Sequence, residues 1–298
     1  MTTPPSSSPP LRSPEQLSGD PGSSIEVRGL NKDFKLRRGM RHSVLHAVVD
    51  ADFVIGAGRT VALVGESGSG KSTIARIIAK LETPTSGAVL LDGERTPVRG
   101  AALGAYRRQV QMVFQDPFAS LNPFHSIAHH IERPIKLHHP RLTRGQIRER
   151  AAELLERVQL GPAYLNRRPH ELSGGQRQRV AIARALAPGA RFIIADEPVS
   201  MLDVSIRVGV LNLLADLQRS EGLGVLYITH DLATARHFSD EILVMHRGHI
   251  VERGQADQVI LNPQHEYTQA LREAAADPER LGALRDEVRA ELANETRT

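Results

Sequence analysis

A chain of 298 residues is long enough for one large domain or two small ones, and 40% hydrophobic with 24% charged residues is the balance of an ordinary globular protein. The absence of cysteine excludes disulfides, thiolate metal sites and cysteine-ligated iron–sulfur clusters, and no apolar run approaches the ~20 residues that cross a bilayer. The net charge of +4 is read as a solvated, Arg-rich surface, because no Lys/Arg stripe is interleaved with the few aromatics (4%), so nucleic acid is not expected as a partner.

Residues 1–24 are rich in Pro and Ser, have no apolar core of a signal peptide, and are expected to form a disordered tail. The protein is therefore read as cytoplasmic. From there on, short β-branched runs alternate with helical patterns, which predicts an α/β fold with a buried sheet. Three runs are apolar on both faces, as central strands require: Thr60–Val64, Arg191–Ala195 and Gly224–Ile228. Each ends in a loop rich in polar chemistry, where open α/β sheets hold ligands.

The first such loop is Gly65-Glu66-Ser67-Gly68-Ser69-Gly70-Lys71-Ser72, a G-x-x-x-x-G-K-S pattern between a strand and a helix. The glycines let successive N–H groups turn inward on phosphate oxygens, and the following helix adds its positive end. Lys71 can reach the β- and γ-phosphates of a nucleoside triphosphate and Ser72 can hold Mg²⁺. Chance alone produces this pattern in on the order of one per cent of such chains. Thr73 continues the cradle into the helix, where Ile74, Ile77, Ile78 and Leu81 predict one buried face.

Further along, Gln115 can orient water or touch Mg²⁺ through its amide. Residues 118–172 lack strand patterns and predict a helical insertion, with Thr143 and Gln146 as a capping box ahead of Ile147, Ala151, Leu154, Leu155 and Val158. Ser173-Gly174-Gly175-Gln176 forms a second capping box at a glycine-rich helix start, hence a second anion site. Asp196 and Glu197 follow a core strand. Adjacent residues of an extended chain face opposite ways, so Asp196 suits the metal and Glu197 the attacking water as general base. His230, at the end of the next core strand, is placed to contact a γ-phosphate. Asp277-Pro278 can start a last amphipathic helix carrying Leu281, Leu284, Val288 and Leu292.

Leu172-Ser173-Gly174-Gly175-Gln176 matches the LSGGQ signature of ABC ATPases, and the chain resembles that family from about Ile25 to Leu271. The cradle, Gln115, the signature, Asp196-Glu197, Asp203 and His230 occur in the family's order. The resemblance implies a P-loop NTPase core spanning 25–260, with an inserted helical subdomain (about 118–182), an antiparallel β subdomain and a C-terminal extension over 261–298. It also implies ATP and Mg²⁺, and a second nucleotide-binding subunit, identical or paralogous. Ser173 and Gly175 would then contact the γ-phosphate on the partner, and Asp203 would lie at the interface. Phe34 is the aromatic expected to stack on adenine, or alternatively a core Phe. Met201 stands where the family more often has Ala.

Two strings, Leu121-Asn122-Pro123 after Gln115–Ser120 and Pro263-Gln264-His265-Glu266-Tyr267-Thr268, resemble the oligopeptide/dipeptide/nickel importer group, with Glu266 in place of a Pro. That group works with two transmembrane permease subunits and an extracytoplasmic substrate-binding protein, on the cytoplasmic face of the membrane. The implied function is an ATPase energising peptide uptake, with nickel or another small solute, or a soluble ABC ATPase, as alternatives. His265 is read as making a local structural hydrogen bond.

Overall fold

The structure, a computed structural model, describes residues 22–38 and 41–276. The predicted helix from Asp277 and most of the 1–24 segment lie outside them, but Ser24 is already the first residue of a strand, and its N–H donates to Asp92 at 3.0 Å. The chain runs through β1 (Ser24–Arg38), β2 (Arg41–Gly56), β3 (Thr60–Val64), α1 (Lys71–Ile78), β4 (Ser86–Leu91) and β5 (Glu94–Arg95). It continues through α2 (Gly100–Gln109), β6 (Val110–Val113), α3 (Pro117–Ser120), α4 (Ile127–His138), α5 (Arg144–Arg157) and α6 (Gly174–Leu186). The last elements are β7 (Phe192–Asp196), α7 (Val204–Glu221), β8 (Gly224–Thr229), α8 (Leu232–Phe238), β9 (Glu241–His246), β10 (His249–Gln255), α9 (Ala256–Leu261) and α10 (Glu266–Ala276).

Two sheets result. The larger has the order β10-β9-β3-β8-β7-β6, with β3, the three runs' other two strands and β6 all parallel. The three runs read as central strands occupy its middle, and the strands they form are buried along their length, with Arg191, read as the start of the second run, exposed ahead of β7. Their side chains alternate between two hydrophobic clusters. Val61, Leu63, Phe192, Ile194, Leu226 and Ile228 face α1 and the second sheet. Ala62, Val64, Ile193, Ala195, Val225 and Tyr227 face the helices on the other side. This two-sided burial is why the runs lack polar alternation. The second sheet, β2-β1-β4-β5, is antiparallel throughout.

Between β6 and β7 no strand occurs among the described residues; α3 to α6 and two short 3₁₀ turns fill the interval. Both capping boxes form. Thr143 Oγ1 accepts from Gln146 N while Gln146 Oε1 accepts from Thr143 N, and Ser173 and Gln176 repeat the exchange at the start of α6. All five apolar residues of the Thr143 stripe are buried.

One expectation fails. Helix α1 ends at Ile78, and Leu81 is 53% exposed instead of completing the stripe. Lys80 takes a left-handed φ of 57°, which turns the chain before Leu81 can reach the core. Among the described residues no helix is long and apolar enough to cross a membrane.

Candidate nucleotide-binding and hydrolysis site

The loop between β3 and α1 is fixed from several sides. A Cβ at Gly65 would sit 2.1 Å from the Met245 carbonyl oxygen, and one at Gly70 the same distance from that of Ala47, so both positions require glycine. Their φ angles, +157° and +109°, add backbone strain for any other residue. Gly68 has open space on its side, and Ser67 beside it is exposed. Ser69 N donates to Glu66 O at 3.2 Å, and Gly248 N reaches across from the β9–β10 turn to Ser69 O at 3.0 Å. The chain thus curls as an anion-binding nest requires.

Lys71, 4% exposed, folds its ammonium against the loop, donating to Gly65 O at 2.7 Å and Glu66 O at 2.6 Å. Burial lowers its pKa to about 8, against opposing attraction from Glu197, Asp196 and Glu66. In the interval between that value and an ordinary lysine's, the unfolded chain holds a proton that the native cradle has released, so this group makes stability rise with pH there. Phosphate oxygens act the other way, because they favour the ammonium. Nucleotide binding should therefore take up a proton near pH 8, and affinity should weaken by up to about tenfold per pH unit above it. Calorimetric titrations from pH 7 to 9.5 in buffers of different ionisation enthalpy check this. The Lys71→Arg variant, weaker or not, should show no such slope.

Opposite the cradle, Ser72 Oγ donates to Asp196 Oδ1 at 3.0 Å. Asp196 is 9% exposed, and burial pushes its carboxyl upward, with the Ser72 hydrogen bond opposing and the neighbouring Glu197 charge reinforcing the shift. A buried carboxylate paired with a hydroxyl, both oxygen donors, is a fitting set for a hard divalent cation, whose charge would restore the ionised form. Gln115 lines the same cleft, of about 950 Å³, as Ser72 and Asp196.

Asp196 and Glu197 do have different partners, though not because the chain is extended at Glu197. The strand ends at Asp196, and Glu197 adopts a left-handed φ of 45° with its N–H donating to Ile228 O at 2.9 Å. That turn sets its carboxylate between two groups. Gln115 Nε2 donates to Oε2 at 3.0 Å, and His230 Nδ1 lies 3.3 Å from Oε1. A non-glycine residue held in this conformation is a form of strain that clusters at functional sites. The structure thus brings Gln115, Glu197 and His230 together, and separately Ser72 and Asp196.

The other predicted residues lie elsewhere. Ser173, exposed, is the N-cap of α6, and Gly175 packs so closely on Ile206 that a Cβ would come within 2.5 Å of its Cγ2. Gln176 is tied to the helical segment through Nε2, 3.0 Å from the Tyr164 hydroxyl, and Gly174 faces Leu202. Asp203 is exposed at the N-cap of α7 with no side-chain cap bond. Thr73 is half-buried in the first turn of α1. Phe34 is half-buried on β1, paired with Leu45 two residues before Ala47, with Lys32 Nζ 4.8 Å from its ring centroid. Sequence reasoning passed over Tyr267, whose hydroxyl accepts from Glu66 N at 3.1 Å. Its only trace in the sequence was its place two residues after His265 in the tail string.

The fold and site define a P-loop nucleotide-binding cassette: a parallel sheet with the phosphate loop after β3, acids after β7 and a second glycine-rich helix start. Residues 48–200 match the sequence model of the family described as ABC transporter. The oligopeptide transport ATP-binding protein OppF of Escherichia coli is 44% identical over 261 residues, 86% of this chain and 78% of that protein. The Bacillus subtilis OppF is 46% identical over 257 residues, 86% of this chain and 83% of its own length. The glutathione import ATP-binding protein GsiA of Salmonella typhimurium is 45% identical over 271 residues; the match takes in 89% of this chain and spans 43% of GsiA, under half its length. Among solved structures, the ATP-binding cassette MJ0796 in a dimeric post-hydrolysis state bound to ADP and Pi superposes with a TM-score of 0.69 at 32% identity, covering 78% of this chain and 98% of that one. The chain belongs to the ABC transporter family, and it is the ATP-binding part of that architecture.

Proposed function

We propose that this chain is the ATP-hydrolysing subunit of an ABC importer that energises uptake of oligopeptides or dipeptides, held at the cytoplasmic face of the membrane by two permease subunits. The observation that carries the enzymatic part is the assembly of the Gly65–Ser72 loop, the Ser72–Asp196 pair, and Glu197 flanked by Gln115 and His230. The peptide part draws on similarity to OppF proteins over most of their length.

Lys71 exchanges its carbonyl partners for the β- and γ-phosphate oxygens of ATP, and the loop amides hold the remaining oxygens. Phe34 stacks on the adenine. Ser72, Asp196 and Gln115 hold Mg²⁺, which when bound neutralises charge on the phosphoryl oxygens. Glu197 accepts a proton from water as the water oxygen bonds to the γ-phosphorus and the bond to the ADP oxygen breaks. Gln115 and His230 orient the Glu197 carboxylate, and His230 faces the γ-phosphate.

One chain contains one cradle and one signature. A second cassette, identical or paralogous, supplies Ser173 and Gly175 to the first cradle, with Asp203 at the interface between them. ATP then shifts the pair toward closure because only the closed pair engages both elements. The helical segment about 118–182 and the cleft beside Gln115 pass closure to the permeases, within an ATPase unit over 25–260 followed by an extension from 261. A secreted binding protein delivers the solute.

Affinity purification from the native membrane, with reconstitution of the recovered complex into vesicles, tests the reading. ATP-dependent accumulation of labelled peptide is the expected result. Accumulation of nickel instead would move the assignment to the neighbouring substrate class. Recovery with ribosomes or DNA and without any multi-span partner would overturn it.

A further inference from the structure

The phosphate loop is tied to a segment 201 residues downstream by the hydrogen bond from Glu66 N to the Tyr267 hydroxyl. Glu66 is the first residue of the loop after Gly65, and the peptide plane joining the two is gripped at both ends. Its N–H, that of Glu66, meets Tyr267, while its carbonyl, that of Gly65, accepts from Lys71 Nζ. The orientation of this peptide plane sets where the following loop amides point. Of these two partners, Tyr267 comes from outside the loop and α1.

Tyr267 is itself held rigidly. It is 8% exposed, and its ring lies against the His246 imidazole with centroids 4.0 Å apart. Its N–H donates to His265 Nδ1 at 3.1 Å, the local bond expected of that histidine. The turn carrying His265 is anchored in turn by the buried carboxylate of Glu252 on β10, which accepts from Gln264 N at 2.8 Å and His265 N at 3.0 Å. Leu271, one turn further along α10, joins the main hydrophobic cluster. The hydrogen bonds in this chain are all 3.1 Å or shorter and the last of them, to Glu66 N, is buried, so the hydroxyl has little freedom to leave the loop.

We propose that Tyr267 is a positioning residue of the phosphate cradle, its hydroxyl clamping the Glu66 amide so that the loop is preorganised for the triphosphate. The inference deepens the reading of Gly65–Ser72 as a nucleotide cradle and rests on it. Without the clamp, the Glu66 N–H must find another partner before nucleotide arrives, and binding must then reverse that rearrangement. The cost falls on affinity, because the loop is in the same place once phosphate holds it.

The test is Tyr267→Phe, which keeps the ring on His246 and deletes only the hydroxyl, with Thr268→Val as its control. Thr268 is fully buried one residue on, and its hydroxyl has no hydrogen-bond partner among the described residues. Two readouts are taken: Mg-ATP affinity with steady-state kinetics, and amide hydrogen exchange of the peptide spanning 65–70 without nucleotide. Tyr267→Phe should bind Mg-ATP about tenfold more weakly, with kcat at saturating ATP within about twofold of the parent. Exchange over 65–70 should quicken while peptides from β8 and α6 keep the parent's rates. Thr268→Val should match the parent in both. Unchanged affinity and unchanged loop exchange in Tyr267→Phe would overturn the clamp. So would an equal change in the Thr268→Val protein, or a general loss of protection across the fold. Because the exchange arm needs no nucleotide, a parent protein that fails to bind Mg-ATP would count against the cradle reading alone.

Discussion

Glu197→Gln should abolish turnover while leaving ATP bound. The amide is isosteric with the carboxylate and can still meet Gln115 Nε2, which lies 3.0 Å from Oε2, and His230 Nδ1, 3.3 Å from Oε1. What it loses, on the proposed mechanism, is the ability to take a proton from the attacking water, a contribution of roughly 10²–10⁴ in rate. Binding should hold or tighten, because a negative charge is removed from the neighbourhood of a polyanion and of Asp196, whose carboxyl Glu197 pushes upward. On the proposed pairing of cassettes, ATP that is bound and not cleaved should keep cradle and signature engaged, so light scattering with Mg-ATP should report an accumulated pair. The measurements are phosphate release, nucleotide affinity and mass in solution. Hydrolysis at the parent rate would remove Glu197 from the mechanism.

The second large effect is expected at Lys71→Ala, and it falls on affinity. Lys71 is buried and its ammonium donates into the loop, to Gly65 O and Glu66 O. Truncating one partner of a buried, hydrogen-bonded charge pair costs about 2–5 kcal/mol. Taken against phosphate oxygens, that is at least about thirtyfold in Kd. Stability should respond differently. Burial costs the ammonium enough to lower its pKa to about 8, so removing it relieves that cost even as two carbonyls lose a donor. A chain with near-parent thermal unfolding and strongly weakened ATP binding is the expected combination. An affinity within threefold of the parent would falsify the cradle assignment.

The amino-acid sequence by itself determined everything that depends on short range. The buried strands Thr60–Val64, Phe192–Asp196 and Gly224–Thr229, the capping boxes at Thr143 and Ser173, and the phosphate loop are encoded within about eight residues each, where periodicity and local hydrogen bonds decide conformation. The tertiary structure alone decided what depends on neighbours far along the chain. It set Glu197 in a left-handed turn between Gln115 and His230. It wedged Gly65 and Gly70 against the Met245 and Ala47 carbonyls, and it carried Tyr267 onto Glu66. No local pattern specifies such contacts, because they arise only when the two sheets and α10 have packed and each buried polar group must find its partner.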